Sequence, residues 1–244
     1  MNINLNEKLT DVITSHRTND EQCRKSMQEV VNHWQTPSTI SIYTAEHIQT
    51  AIQNELDSVI AESHKVDIVL NQKLKAIISE TKSEVLPFLD TTSKKPSDYA
   101  VKINNALQFL KLEGDKISDE KAYKILKPFI NDFEQMDLFS DIVEKQVGTT
   151  NFINAHGECS FEKTFGTTNR IRSLLNLFND AESIAETLFL LPKVDGEYFI
   201  INNQRFVIKQ DGYSEVSDEN DIISIGNAIT EIVKDMAAPV VQEI

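Results

Sequence analysis

One stretch of the chain brings together side chains that could bind a metal ion. It reads His156-Gly157-Glu158-Cys159, and Glu162 follows after two further residues. Imidazole, thiolate and carboxylate groups are common ligands of transition metals in proteins. A structural zinc site needs four ligands, however, and no second His or Cys pair lies at ligand spacing. We therefore predict that the loop from Gly148 to Gly166 holds no metal ion.

The same stretch contains a possible nucleophile and base, Cys159 and His156. Such a pair needs a third group to orient the base and donors to stabilise an oxyanion, and nothing in the sequence marks either. Gly-rich phosphate loops, nucleophile elbows and His-Glu-x-x-His helices are also missing from the sequence. We therefore predict no catalytic residue and no cofactor. An enzyme with an unfamiliar site at residues 156–162 is one alternative.

The charge of the chain is strongly negative, with a net value of −14. Residues 1–113 hold 12 Lys and Arg against 15 Asp and Glu, and residues 114–244 hold 12 against 23. Such a surface repels a phosphate backbone, so we expect no direct contact with nucleic acid. It could instead suit an acidic inhibitor or immunity-type protein that binds a basic target, which is a second alternative.

The expected location is the cytoplasm, or an intracellular or virion assembly. No run of about 18 apolar residues predicts a membrane span, and the first residues do not resemble a signal peptide. The two cysteines, Cys23 and Cys159, lie far apart and fit no redox spacing. Richness in Ile, Asn and Lys is typical of an AT-rich genome, which favours a viral or mobile-element origin.

Long helices must position any functional residue, because Gly and Pro are scarce and every Gly lies at or after Gly114. The first 37 residues predict an amphipathic helix or helix pair ending at Pro37. His16 lies on its apolar stripe, where a buried histidine with a hydrogen-bond partner is expected. Near the other end of the chain, Asp218 and Glu219 are expected at the start of a last helix, whose N-terminus favours carboxylates.

The segment from Thr44 to Thr81 carries the longest helical pattern, with apolar residues at steps of three or four and no Gly or Pro. It predicts either one helix about 55 Å long or a hairpin broken between Ala61 and Lys65. One compact domain of ordinary width would not cover such a stripe. We therefore expect it to contact another chain, identical or different, in the manner of a coiled coil. The predicted partner-binding residues are Ile48, Ile52, Leu56, Val59, Val66 and Leu70.

The remainder predicts several shorter helices and one small β-hairpin. The linker before Pro96 separates an N-terminal long-helix region, residues 1–89, from a helical domain, residues 97–244. Two short runs of aromatic and β-branched residues, apolar on both faces, predict the hairpin at 197–209, with Phe199, Ile201, Phe206 and Ile208 including core residues. The stretch from Gly148 to Gly166 is expected to be a loop. The predicted fold is thus mainly α, with an extended N-terminal bundle or coiled-coil-like part.

These patterns together favour a non-catalytic helical protein that takes part in protein–protein interaction or assembly as a subunit of a larger complex. The long Gly-free helical region and the lack of catalytic signatures support this interpretation. We expect a protein partner or self-association through that region, and no membrane contact.

Overall fold

The computed structural model describes residues 4–89, 95–153, 159–190, 198–201, 204–207 and 216–237. Side chains are described throughout these ranges except at 88–89, 198–201, 204–207, 216–217 and 237. Most of the described chain is helical, so the prediction of a mainly α fold is confirmed. The helices are α1 (Leu5–Trp34), α2 (Pro37–Ile42), α3 (Ala45–Leu89), α4 (Tyr99–Glu113), α5 (Asp119–Leu126), α6 (Phe133–Val147), α7 (Thr149–Phe152), α8 (Glu162–Thr187) and α9 (Val216–Ala237). Short 3₁₀ turns lie at Gly114–Lys116 and Lys127–Phe129.

Both long N-terminal patterns form single helices. Helix α1 continues through the polar residues that could have started a second helix, and α3 continues through Ala61 to Lys65 and past Pro87. Most residues of the 61–65 segment are adequate helix formers, so the polar interruption costs little. Asn19 of α1 also donates to the carbonyl oxygen of Ser63 at 3.1 Å and to its hydroxyl at 2.9 Å, which holds α1 against α3 there.

The prediction of a loop from Gly148 to Gly166 is wrong at both ends of that range, because α7 occupies 149–152 and α8 begins at Glu162. A side chain from a distant part of the sequence explains the early start of α8. The carboxylate of Asp119 accepts the backbone N–H groups of Lys163 at 2.9 Å and of Thr164 at 3.0 Å. It thereby caps the first turn of α8, whose N–H groups have no carbonyl oxygen four residues earlier within the helix.

Two short strands, β1 (Tyr198–Ile201) and β2 (Gln204–Val207), pair antiparallel with Tyr198 opposite Val207. The predicted hairpin at 197–209 extends beyond them, and residues 197, 202–203 and 208–209 lie outside the described residues. The side chains of Phe199, Ile201 and Phe206 also lie outside the described part. Their packing against helices therefore stays a prediction.

Two compact units divide the chain, and each combines segments that are distant in sequence. The phenylalanine unit, as we call it, comprises the described residues within Thr81–Phe178 and Glu231–Ile244. The histidine unit comprises Asn2–Glu80 and Asn179–Thr230. These units differ from the predicted domains, 1–89 and 97–244, because α9 packs on α1. A Cβ added at Gly226 of α9 would lie only 2.6 Å from Leu9 Cδ1 of α1.

The core of the phenylalanine unit is aromatic. Phe129 and Phe139 meet edge to face with their ring centroids 5.2 Å apart, and Phe152 stacks on Phe161 at 5.4 Å. Helix α4 contributes Ala106 and Leu110, which belong to the same buried cluster. The inner face of α4 is thereby fixed on this core by burial of apolar surface.

A polar cluster anchors the start of α4. The Tyr99 hydroxyl donates to Asp132 Oδ2, and Lys95 Nζ lies 3.1 Å from the same carboxylate. Burial, followed by the bond to Asp132, raises the pKa of Tyr99 well above its usual range. Burial also pushes the pKa of Asp132 upward, but the bonds from Tyr99, Gln135 and Lys95 together bring it below its usual value. Asp132 is therefore a charged acceptor at neutral pH.

Candidate interaction surfaces and a buried polar network

Most of the predicted partner-binding residues of α3 are already covered by the same chain. Ile48, Ile52 and Leu56 are buried, and they form one cluster with Met27 and Val31 of α1. The partly buried Val59 packs against this cluster, and Leu70 is also buried. Of the six predicted residues, Val66 is the one with an exposed side chain. Val69, one turn away on α3, is exposed as well.

Helix α4 presents a second apolar face to solvent. Val101 is 60% exposed, Phe109 is 56% exposed and Leu112 is 81% exposed. At 100° per residue these three side chains fall within an arc of about 80°. Ala106 and Leu110 lie on the other side of the helix, within the aromatic core. The outer side of the helix thus carries three exposed apolar side chains around the exposed Asn105, whereas a surface helix usually has a single apolar stripe.

Other exposed apolar residues of the described chain are more scattered. Ile42 and Tyr43 lie beside the end of α2, and Leu138 lies on α6. Single exposed apolar side chains are normal on protein surfaces. The outer face of α4, which we define as Val101, Phe109 and Leu112, differs because three large side chains share one side of one helix.

The histidine unit contains a buried network of ionisable side chains. His16 of α1 is 2% exposed, and its Nδ1 atom lies 2.8 Å from Glu219 Oε1 of α9. The other oxygen of Glu219 accepts a hydrogen bond from Arg17 Nε at 2.8 Å. On the opposite side of the imidazole, Nε2 lies 3.6 Å from Asp67 Oδ1 of α3. Three helices therefore bring two carboxylates close to one histidine, and of its two nitrogens Nδ1 is hydrogen-bonded while Nε2 is buried without a hydrogen-bond partner among the described residues.

Neighbouring groups hold this network in place. Asn19 donates to Asp67 Oδ1 at 2.9 Å, and the ring of Phe189 stacks on His16 with centroids 4.0 Å apart. Phe189 has a φ of 69°, a left-handed conformation that is costly for a residue with a bulky side chain. Asn71 donates to the carbonyl oxygens of Ala185 at 2.8 Å and Leu188 at 2.7 Å, which satisfies the last turn of α8.

Electrostatic interactions keep the carboxylate of Glu219 ionised. Burial alone raises the pKa of Glu219, because it disfavours a charged carboxylate. The hydrogen bonds that Glu219 makes with His16 and Arg17, together with its electrostatic interaction with both side chains, outweigh burial and hold the pKa of Glu219 below its ordinary value of 4.5.

The sequence predicted part of this network. The apolar stripe of the first helix predicts a buried His16 with a partner, and the preference of helix N-termini for carboxylates predicts Glu219 at the start of the last helix. Nothing local connects the two, because 203 residues separate them. The sequence does contain a signal for Asp67, because a charged residue next to Val66 in an apolar stripe indicates a buried polar contact. The outer face of α4 could also have been found by placing Val101, Phe109 and Leu112 on a helical wheel.

The candidate nucleophile Cys159 lies in a surrounding that disfavours reactivity. Burial is the largest influence on its thiol, and it raises the pKa above the ordinary value despite the N–H of Phe161, which donates to Sγ at 3.3 Å. A thiol with a raised pKa contains little thiolate at neutral pH, and thiolate is the reactive form. Residues 154–158, including His156 and Glu158, lie outside the described residues. Within the described part of the chain, no three His, Cys, Asp or Glu side chains form a group that could hold a metal ion.

Comparisons with models of protein families, with curated proteins and with solved structures found no match to this chain. Among the described helices, none is both long and apolar enough to cross a membrane.

Proposed function

We propose that this chain is a non-catalytic interaction protein that works as a subunit of a larger protein complex. The observation that carries the proposal is the outer face of α4, where Val101, Phe109 and Leu112 are all more than half exposed. Burying this face against another chain, identical or different, would remove apolar surface from water, which is the main driving force of most protein association.

The form of this face suits a helix-in-groove contact. Val101, Phe109 and Leu112 lie at positions i, i+8 and i+11, so they form a line about three turns long on one side of α4. Amphipathic helices that bind grooves use anchors at i, i+3, i+4 and i+7, and Phe109 and Leu112 have the i, i+3 spacing of two such anchors. Phe109 provides the aromatic anchor, a residue type that is enriched at interfaces. The rigid attachment of α4 to the aromatic core lowers the entropic cost of binding.

The prediction that α3 contacts a partner is limited to fewer residues in this proposal. Ile48, Ile52 and Leu56 pack against α1, so a partner would have to use the exposed residues Val66 and Val69. These two side chains are separated by about one turn and could add a second, smaller contact. The coiled-coil-like stripe of α3 is used mainly for packing inside the histidine unit.

The alternative of an acidic protein that binds a basic target has independent support. Residues 114–244 hold 23 Asp and Glu against 12 Lys and Arg, and a field of one sign steers an oppositely charged partner. The two functions are compatible, because an assembly subunit can also use charge to select its partner. The enzyme alternative at residues 156–162 gains no comparable support, since the thiol of Cys159 has a raised pKa.

Site-specific photo-crosslinking in the cells that produce the protein tests the α4 contact. A benzophenone side chain at position 109 should yield a defined adduct with one protein. The same group at position 138 is the matched control, because Leu138 is also a half-exposed apolar residue of this unit. We expect no adduct from the control.

A double substitution completes the test. Phe109→Ser with Leu112→Ser should abolish the association, seen by sedimentation of the complex, while the helical circular dichroism signal is unchanged. Leu138→Ser with Ile153→Ser should leave the association intact. Equal adducts at positions 109 and 138, or a complex that survives the α4 substitutions, would exclude the outer face of α4 as the interface.

A further inference from the structure

A groove in the histidine unit is lined by matching residues of two helices. Helix α8 contributes Asp180, Ser183 and Ile184, and α9 contributes Asp221, Ser224 and Ile225. Each helix thus supplies an Asp, a Ser and an Ile at positions i, i+3 and i+4, which lie on one face. The groove has a volume of about 420 Å³. Both isoleucines are half-buried, and the four polar residues are exposed.

The polar groups of this groove are not used within the described part of the chain. Neither Asp180 nor Asp221 forms an ion pair with a described residue. Hydroxyls elsewhere on the helices behave differently, because Ser15 and Thr230 donate to the backbone carbonyl oxygen four residues earlier. Ser183 and Ser224 make no such bond to a described residue. Four hydrogen-bonding side chains are therefore available to a ligand.

The segments of α8 and α9 that line the groove are acidic, although the buried carboxylate of Glu219 is already paired with Arg17 of α1. The segment 179–187 contains Asp180, Glu182 and Glu186, and the segment 216–230 contains Asp218, Glu219 and Asp221. Neither segment contains a Lys or an Arg. A cleft lined by charges of one sign concentrates counter-charged ligands. The groove therefore favours a cationic group over a neutral or anionic one.

We propose that this groove binds an arginine side chain of a basic segment in a partner protein. The inference rests on the proposed interaction function and adds the chemistry of the partner. The alkyl stem of the arginine would lie on Ile184 and Ile225, as long basic side chains do on apolar surfaces. The guanidinium carries five N–H donors, which suit two carboxylates and two hydroxyls better than a lysine ammonium does.

Nuclear magnetic resonance titration of the full-length protein tests this inference with defined peptides. The first probe is a short capped peptide in which arginine alternates with leucine. The second replaces each arginine by citrulline, which has the same shape and no charge, and the third replaces each arginine by lysine. The arginine peptide should shift the backbone amides of 180–184 and 221–225. The citrulline peptide should not shift them, and the lysine peptide should bind more weakly.

Matched variants sharpen the result. Asp180→Asn together with Asp221→Asn should weaken binding of the arginine peptide by about ten-fold or more, because two charge-assisted hydrogen bonds are replaced by neutral ones. Glu186→Gln removes one charge from the same helix without touching the groove, and it should change the affinity by less than about two-fold. Higher salt should weaken the arginine complex.

Several results would overturn the inference. These are equal binding of the citrulline peptide, amide shifts outside the groove, an equal loss in Glu186→Gln, or binding of spermine or Mg²⁺ with none of the arginine peptide. Because the peptides test the groove alone, their failure would leave crosslinking at position 109 as independent support for an interaction function. A positive titration with no adduct at position 109 would support the groove as a binding site and would exclude the outer face of α4 as an interface.

Discussion

The phenylalanine unit and the histidine unit stabilise their interiors in different ways. In the first, the main cluster contains five phenylalanines together with aliphatic residues of α4, α5 and α6. In the second, His16, Asp67, Asn71 and Glu219 are buried among aliphatic side chains of α1, α3 and α9. The interior of the phenylalanine unit is stabilised by burial of apolar area. The interior of the histidine unit adds hydrogen bonds, whose polar groups can be satisfied by few alternative partners.

The two interiors illustrate the difference between interactions that stabilise a fold and interactions that select one arrangement of its helices. Apolar burial is non-directional, so an aromatic core tolerates changes that keep its volume. A buried ionic network repays its desolvation only when every member has the right geometry. In the histidine unit that requirement selects one packing of α1, α3 and α9, which come from opposite ends of the sequence. We infer that the network specifies this arrangement more than it adds net stability.

The largest effect should come from the aromatic core. Phe139 is fully buried and contacts Phe129, so Phe139→Ala should lower the free energy of unfolding by about 3–5 kcal/mol through lost burial and a residual cavity. Chemical denaturation followed by circular dichroism measures this. The neighbouring Leu138 is exposed, and Leu138→Ala should change the free energy by less than about 0.5 kcal/mol. Similar losses for both substitutions would show that the interior of this unit is not the aromatic cluster.

The second effect concerns the buried network. Glu219→Gln removes the carboxylate that bonds to His16 and Arg17, and removal of one partner of a buried pair costs about 3 kcal/mol. Glu231→Gln is the control, because Glu231 forms an exposed pair with Lys234 and should contribute little. If both variants unfold at the same denaturant concentration as the wild type, the network has no structural role.

The pH dependence of the Glu219 effect has a defined sign. The pKa of Glu219 is lowered in the folded protein, so its contribution to stability is fully present above its ordinary value of 4.5. That contribution is lost as the pH falls through the lowered folded value. The difference in unfolding free energy between wild type and Glu219→Gln should therefore be constant at neutral pH and should shrink in acid. A difference that grows on acidification would contradict this account.

The comparison also shows which features a sequence can predict. The periods of α1 and α3 are local, so their helices and the burial of Ile48, Ile52 and Leu56 follow from spacing alone. The period identifies a buried face but not the element that covers it, so spacing alone does not show that Ile48, Ile52 and Leu56 pack against α1. The start of α8 depends on Asp119, 43 residues earlier in the chain than Glu162, and no local signal contains that contact.

The smallest expected change in stability comes from replacing a helical glycine by alanine, and each unit offers one such glycine. Replacing Gly by Ala inside a helix gains about 1 kcal/mol of helix propensity. At Gly166 of the phenylalanine unit, the new Cβ would meet the carboxylate of Glu162 at 2.4 Å, and that side chain is exposed and can rotate away. Gly166→Ala should therefore raise the free energy of unfolding by a few tenths of a kcal/mol, up to about 1 kcal/mol.

At Gly226 of the histidine unit the same substitution should have the opposite sign. The new Cβ would lie 2.6 Å from Leu9 Cδ1, and Leu9 is 1% exposed, so it has no free space to enter. Overpacking of this kind costs about 1–3 kcal/mol, which exceeds the gain in propensity. A double-mutant cycle isolates the contact, because Leu9→Ala removes the colliding atom. In that background Gly226→Ala should become neutral or stabilising by thermal unfolding. An equal loss in both backgrounds would mean that α1 and α9 do not approach each other at Gly226.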